Sequence, residues 1–230
     1  MVHRNLNSNM RTIAIGDIHG CSQALASLLE ILQPAADDRV VFLGDYVDRG
    51  PDSQGVLELI LAIQEQCQVV PLLGNHETML LDCLDKGAPH TFWVSQCGGG
   101  ETLASYGGEL RGIPPRHVTF LRSCRRFYET PSHLFVHANY VHSHPLENQS
   151  DEILLWQHLS WSVPRPHHSG KTAIVGHTPQ RSGRILNLGH LQCIDTACFA
   201  GGWLTALHVE TGESWQANNQ GETRDGSPPT

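Results

Sequence analysis

Three short apolar runs each end in a glycine followed at once by a residue that can bind a cation. They read Ile15-Gly16-Asp17, Leu43-Gly44-Asp45 and Leu73-Gly74-Asn75. The text between them is helical. Ser22 caps Gln23–Leu32, where Leu25, Leu28, Leu29 and Leu32 form an i, i+3, i+4, i+7 stripe and Pro34 stops the helix. Asp52 or Ser53 caps a second stripe, Val56, Leu57, Ile60, Leu61 and Ile63. The order β-α-β-α-β favours an α/β layered fold with helices on the faces of a sheet. Parallel strands put their carboxyl ends along one edge, where such sheets bind ligands, so Asp17, Asp45 and Asn75 converge there. Pro71 inside the third run predicts a strand paired irregularly or on one side only.

Residues 77–130 change character, with helical spacing broken by Gly98-Gly99-Gly100, Gly107-Gly108 and Pro114-Pro115. They read as a helical cap insertion over one end of the sheet. Strand text returns at His133–Val136, Thr172–Val175, Leu191–Ile194 and Leu204–Val209, with a His-, Pro- and Ser-rich loop over Ser143–Gly170. The expected organisation is a flexible N-terminus over residues 1–10, one domain over 11–216 and a flexible tail over 217–230.

Two of the returning strands also end in metal-competent residues, Phe135-Val136-His137 and Val175-Gly176-His177. With His19 of Ile15-Gly16-Asp17-Ile18-His19-Gly20, the edge gathers carboxylate, amide oxygen and imidazole without a cysteine. That donor set suits Mn²⁺, Fe or Zn²⁺. The formal charge of −8, from 15 basic and 23 acidic residues, leaves no broad field for gripping nucleic acid or an anionic membrane. The longest apolar runs are too short to span a bilayer. Seven cysteines without a CxxC pair, and no secretory signal, predict reduced thiols and a cytoplasmic protein.

The segments GDIHG, GDYVDRG, GNHE, FVHA and VGHTP, in this order, resemble the signature set of the metal-dependent phosphoprotein phosphatases (calcineurin-like metallophosphoesterases). Trp93, Gly98-Gly99, Thr102-Leu103 and Ser105-Tyr106-Gly107 are similar to the cap of the small bacterial members, and IDTACFAGGWLTAL to their last strand pair. The resemblance covers Thr12–Glu213. It implies a β-sandwich flanked by helices and two divalent metal ions, Mn²⁺ first, with Fe or Zn²⁺ as alternatives. Asp17, His19 and Asp45 would hold the first ion, and Asp45, Asn75, His137 and His177 the second. A hydroxide bridging both metals would attack phosphorus in line, since coordination lowers the pKa of water from about 15.7 to about 7. His76 would protonate the leaving group, with Asp48 orienting its ring, and Arg49 would clamp phosphate oxygens alongside Asn75 and His76.

The chain departs from the family text twice. Leu155-Trp156-Gln157-His158 puts His158 where small bacterial members carry a second phosphate-binding arginine. His158 is therefore expected at the phosphate, helped by Arg165 or Arg184, with a rate that falls more steeply above neutrality. Asn139 stands where the family has glycine, and a positive φ is expected of it.

Other residues invite plainer readings. His142, His144, His167 and His168 read as a solvated loop, and His90, His117, His133, His190 and His208 as ordinary surface or core histidines. Cys193 and Cys198 read as buried thiols, Glu77 as a brace for its loop, and Arg122, Arg125 and Arg126 as a solvated helix face. The implied function is a phosphomonoesterase acting on phosphoserine or phosphothreonine of proteins, the partner being a phosphoprotein or a phosphorylated small-molecule substrate, with a monomer favoured. The alternatives are symmetrical hydrolysis of diadenosine tetraphosphate, whose enzymes commonly read GDLVARG and GNHD, and an inactive metal-bearing docking module.

Overall fold

A computed structural model describes residues 10–226. In chain order the strands are β1 (Thr12–Ile15), β2 (Arg39–Phe42), β3 (Gln68–Pro71), β4 (Phe127–Glu129), β5 (His133–Val136), β6 (Thr172–Val175), β7 (Leu186–Asn187), β8 (Leu191–Cys193), β9 (Asp195–Thr196), β10 (Trp203–His208), β11 (Ser214–Ala217) and β12 (Thr223–Asp225). The helices are α1 (Ser22–Leu32), α2 (Ser53–Ile63), α3 (Asn75–Lys86), α4 (Thr91–Gln96), α5 (Gly99–Ser105) and α6 (Pro115–Ser123). One sheet runs β12-β11-β10-β1-β2-β3 with β9 beside β10, and the other runs β4-β5-β6-β8-β7. Strands β1, β2 and β3 are parallel, as are β5, β6 and β8.

Alternation along each strand makes the layers. Ala14, Val41, Leu43 and Val70 point from the first sheet onto Phe135 and Ile174 of the second, forming the inner core. Ile13, Ile15, Val40 and Phe42 face the other way, onto the leucine stripes of α1 and α2. Each such side chain, once fully buried, contributes about 1.5–3 kcal/mol. The outer face of the second sheet is covered by Tyr140, Leu146, Leu154, Leu155 and Leu159 from the long loop, whose Glu152–Trp156 stretch forms one wide helical turn. This is the expected α/β sandwich with flanking helices. The region read as a cap carries α3 through α6.

Pro71 sits on the edge strand β3, opposite Phe42, and its carbonyl accepts from Arg125 N at 2.9 Å. Asp52 caps α2, accepting from Gly55 N at 2.8 Å. Ser22 does not cap α1. It is the first helical residue, and Cys21 precedes the helix without a side-chain capping bond.

The tail also departs from expectation as far as residue 226, and residues 227–230 lie outside the described residues. Ala217 ends β11, and residues 218–226 turn back through β12, which pairs with β11 from Trp215↔Asp225 to Ala217↔Thr223. The expected flexible N-terminus lies outside the described residues except for Met10. Arg125 and Arg126 lie beyond α6, not on it. Arg126 pairs with Asp151 at 2.5 Å, and the Arg125 guanidinium sits 5.9 Å from the centre of the Tyr128 ring.

Candidate metal centre

The carboxyl ends of β1, β2, β3, β5 and β6 meet on one edge and deliver Asp17, His19, Asp45, Asn75, His137 and His177 together. The backbone is forced to do so. His19, Asp45, Asp48, Arg49 and His177 all have positive φ, between 49° and 71°, a region that costs an L-residue of order 1–3 kcal/mol. At Gly44, φ is 102°, and a Cβ there would stand 2.6 Å from Gly74 N. At Gly176 a Cβ would run into Asp17 Oδ1. Glu77 braces the loop, as read from the sequence. Its carboxylate accepts from Asp45 N and Tyr46 N at 2.8 Å, Gly74 N at 2.9 Å and Val47 N at 3.3 Å.

Hydrogen bonds fix the ring tautomers. His19 Nδ1 donates to Val47 O at 3.0 Å, His137 Nδ1 to Leu43 O at 2.8 Å, and His177 Nε2 to Trp156 O at 3.1 Å. Burial holds all three rings below their ordinary pKa, His177 down at about 3, which favours neutral rings whose remaining nitrogen is an acceptor; that of His19 takes a hydrogen bond from Arg49. Those nitrogens crowd together with other acceptors. His137 Nε2 lies 3.0 Å from Asn75 Oδ1, 3.2 Å from His177 Nδ1 and 3.4 Å from Asp45 Oδ1. His19 Nε2 lies 3.3 Å from Asp45 Oδ2.

Acceptors packed against acceptors repel, and a cation is what such a cluster fits. The same holds for Asp17, whose Oδ2 accepts from His177 N at 2.9 Å while the buried Oδ1 has no partner. Burial, then the charges of Asp195 and Asp45, raise its pKa well above the carboxylate range. Burial also opposes the charge on Asp45, but His137, His76, His19 and His177 overcome it and hold that carboxyl far below its usual range. The two oxygens of Asp45 face two groups of donors, His19 with His76 and His137 with His177.

His76 Nδ1 is 2.7 Å from Asp48 Oδ2, and its Nε2 looks toward Asp45 Oδ2 at 4.0 Å. Asp48 is wholly buried and saturated. Trp93 Nε1 donates to Oδ2 at 2.8 Å and Thr102 Oγ1 to Oδ1 at 2.7 Å, from α4 and α5 of the cap. Burial alone would discharge His76, but Asp45 and the bond and charge of Asp48 outweigh it and raise its pKa. Arg49 Nη1 donates to His19 Nε2 at 2.9 Å, and its guanidinium lies 4.5 Å from the centre of the Phe199 ring.

A pocket of roughly 550 Å³ opens over the cluster, with Asp45, Arg49, His158, His177, Arg181 and Phe199 in its walls. His158 is thus at the pocket, packed edge-on to His177 with ring centres 4.7 Å apart. Burial, then the charge of Arg49, lower its pKa below the ordinary histidine value. Neither Arg165 nor Arg184 lines the pocket; Arg181 does. Asn139 has no positive φ among the described residues. Instead its Oδ1 accepts from Tyr140 N and its Nδ2 donates to Ser162 O, both at 2.8 Å, tying β5 to the long loop.

Sequence reading missed Asp195. It is buried, with Oδ1 accepting from Ala197 N at 3.0 Å and Oδ2 unpartnered. Burial first, then Asp45, push its pKa up to about 7, against the Ala197 bond. Asp195 follows the strand text Leu191–Ile194, so the same strand-end pattern that marks Asp17 and Asp45 marks it too. His167 also differs from expectation. It is buried, with Nε2 3.0 Å from His144 O and Nδ1 2.8 Å from Ser169 Oγ, and so pins the long loop.

Residues 10–202 match the family described as calcineurin-like phosphoesterase. Serine/threonine-protein phosphatase 1 of Salmonella typhimurium is 29% identical over 204 residues, 85% of this chain and 90% of that protein. A symmetrical bis(5'-nucleosyl)-tetraphosphatase of Burkholderia pseudomallei is 43% identical over 74 residues, which is 32% of this chain and only 26% of that protein. Among solved structures, a protein assigned as a diadenosine tetraphosphatase superposes with a TM-score of 0.69 at 23% identity, covering 96% of this chain and 95% of its own. A cold-active protein-tyrosine phosphatase from a Shewanella species follows with a TM-score of 0.66 at 18% identity, covering 95% of this chain and 80% of its own. At such identities the superpositions establish the fold. The chain belongs to the calcineurin-like phosphoesterase family.

Proposed function

We propose that this chain is a cytoplasmic, monomeric phosphatase with two divalent cations, Mn²⁺ first, that hydrolyses phosphoserine and phosphothreonine in proteins. Asp17, His19 and Asp45 would hold one cation, and Asp45, Asn75, His137 and His177 the other. Cations bound there supply Lewis acidity toward phosphoryl oxygens and a water made nucleophilic near neutral pH. The chain's own residues do the rest. Arg49, stacked on Phe199, presents its fork to the phosphate and holds it for in-line attack. His76, whose pKa Asp45 and Asp48 raise against burial, gives the proton on Nε2 to the departing oxygen.

The observation that carries this reading is the buried His76–Asp48 pair with its Trp93 and Thr102 donors. A seryl or threonyl alkoxide is a poor leaving group and needs such an acid, whereas the phosphate leaving groups of an anhydride need it less. The sequence likeness to serine/threonine-protein phosphatase 1 along nearly its whole length supports the same choice; the sequence likeness to a symmetrical tetraphosphatase covers 32% of this chain.

The test is a side-by-side comparison, with Mn²⁺ present, of a phosphothreonine peptide and diadenosine tetraphosphate. A specificity constant at least about tenfold higher for the peptide, about 1.4 kcal/mol of transition-state binding, supports the proposal. The reverse preference makes the protein a dinucleotide hydrolase, and no turnover of either leaves it a docking module.

A further inference from the structure

Resting on that reading, we propose that Arg181 and Ser160 form a subsite for a second anionic group of the substrate, an acidic side chain beside the phosphorylated residue. Both line the pocket over the candidate metal centre. Among the described residues, Arg181 makes no hydrogen bond or ion pair through its side chain. Most other arginines are occupied. Arg11 pairs with Asp38, Arg111 with Glu109, Arg116 with Glu58, Arg122 with Asp85 and Arg126 with Asp151. Arg165 and Arg184 are also without side-chain partners, but they lie outside the pocket. Buried Asp195 feels the charge of Arg181, yet no carboxylate meets it.

An unpaired guanidinium is costly to orient unless its backbone is held, and here it is. Gln180 N donates to Asp195 O at 2.8 Å and Gly183 N to Gln180 O at 2.9 Å, closing a turn around Arg181. Leu159 N donates to Thr178 Oγ1 at 3.0 Å, fastening the Ser160 loop to the same wall. Arg49, in the same pocket, is already engaged, bonded to His19 Nε2 and stacked on Phe199, which leaves Arg181 as the lining arginine without a side-chain partner among the described residues. Beyond Ser160, Trp161 is 74% exposed with its ring centre 5.6 Å from that of His158, giving the rim an apolar surface for peptide. In a chain of net charge −8, such local cations decide which anionic peptides approach.

The experiment compares two phosphothreonine peptides that differ only in their flanks, glutamates in one and glutamines in the other. Wild-type protein with Mn²⁺ should prefer the acidic peptide by about fivefold in kcat/KM, the scale of one exposed ion pair. The preference should appear in KM, shrink with 0.5 M salt, disappear in Arg181→Ala and persist in Arg181→Lys. Arg165→Ala and Arg184→Ala should keep it. Each preference is a ratio within one preparation, so a partly misfolded variant still reports. Equal cleavage of both peptides by wild type overturns the subsite while leaving the phosphatase reading intact. A preference that survives Arg181→Ala overturns the assignment to Arg181. Failure to cleave either peptide, with diadenosine tetraphosphate turned over, overturns the phosphatase reading and the peptide subsite together.

Discussion

His76 Nδ1 meets Asp48 Oδ2 at 2.7 Å, a contact between two buried side chains 28 residues apart in the chain. The partner of His76 is itself clamped by the cap, through Trp93 and Thr102. These bonds tie the orientation of His76 to helices α4 and α5.

Replacing His76 with glutamine should lower kcat on an alkyl phosphate by about 10²–10⁴. The loss on 4-nitrophenyl phosphate should be much smaller, because that leaving group departs without a proton. Plotting log kcat against leaving-group pKa for both proteins checks this. Parallel lines would remove His76 from the acid role. Trp93→Phe should give a milder version of the same tilt, since it takes one donor from Asp48.

Asp195→Asn should act in opposite directions on the metal-free and metal-loaded protein. It removes a buried charge that raises the pKa of Asp17, so the metal-free protein should melt at a higher temperature. The same change removes negative potential from the centre, and Mn²⁺ affinity by calorimetry should fall by about 10–100-fold, the usual effect of losing an outer partner. Lowered metal-free stability with unchanged affinity would contradict the placement of Asp195.

Gly176→Ala places a methyl group against Asp17 Oδ1. The expected cost is about 1–3 kcal/mol in urea unfolding of the metal-free protein, with weakened Mn²⁺ binding as Asp17 is displaced. Gly170→Ala is the control for general loop sensitivity. Its Cβ meets nothing within 4 Å, so its cost is confined to the positive φ of 74°.

The contribution of His117 and His133 to stability should fall as pH drops below about 6.5, where an ordinary histidine begins to charge. His117 is buried in the cap, accepting from Tyr106 OH at 2.8 Å and donating through Nε2 to Glu58 at 3.0 Å. Burial lowers its pKa despite Glu58, and burial lowers His133 likewise. With folded pKa values below unfolded ones, the unfolded chain binds more protons between the two, so stability is full above the unfolded value and lost as pH falls. Melting temperatures from pH 8 to pH 5 check the sign, and His117→Gln should flatten the slope. A wild-type advantage over His117→Gln that grows toward pH 5 would contradict it.

The strand-end residues are legible because an apolar run is followed within one or two residues by a ligand, with a glycine between them at all but His137, and parallel topology does the gathering. Asp17, Asp45, Asn75, His137 and His177 needed no long-range information beyond that. Trp93, Thr102, Phe199 and Arg181 could not be placed this way, since each acts across a contact between segments far apart in the chain. The Ser214–Asp225 hairpin was hidden by composition. Its strands are polar and β12 is exposed, so nothing in hydropathy separates it from a tail, although Asn218 and Gly221 mark the turn. His167 likewise looked like loop text, and only its contact with His144 makes it structural.

The central claim is that Asp45 stands between two cations. A crystal equilibrated with Mn²⁺ and measured at the manganese edge tests it directly. The account predicts two anomalous peaks about 3.5–4 Å apart, one on each side of the Asp45 carboxylate, with His19 and Asp17 on the first and Asn75, His137 and His177 on the second. A single peak, or peaks away from Asp45, would contradict it.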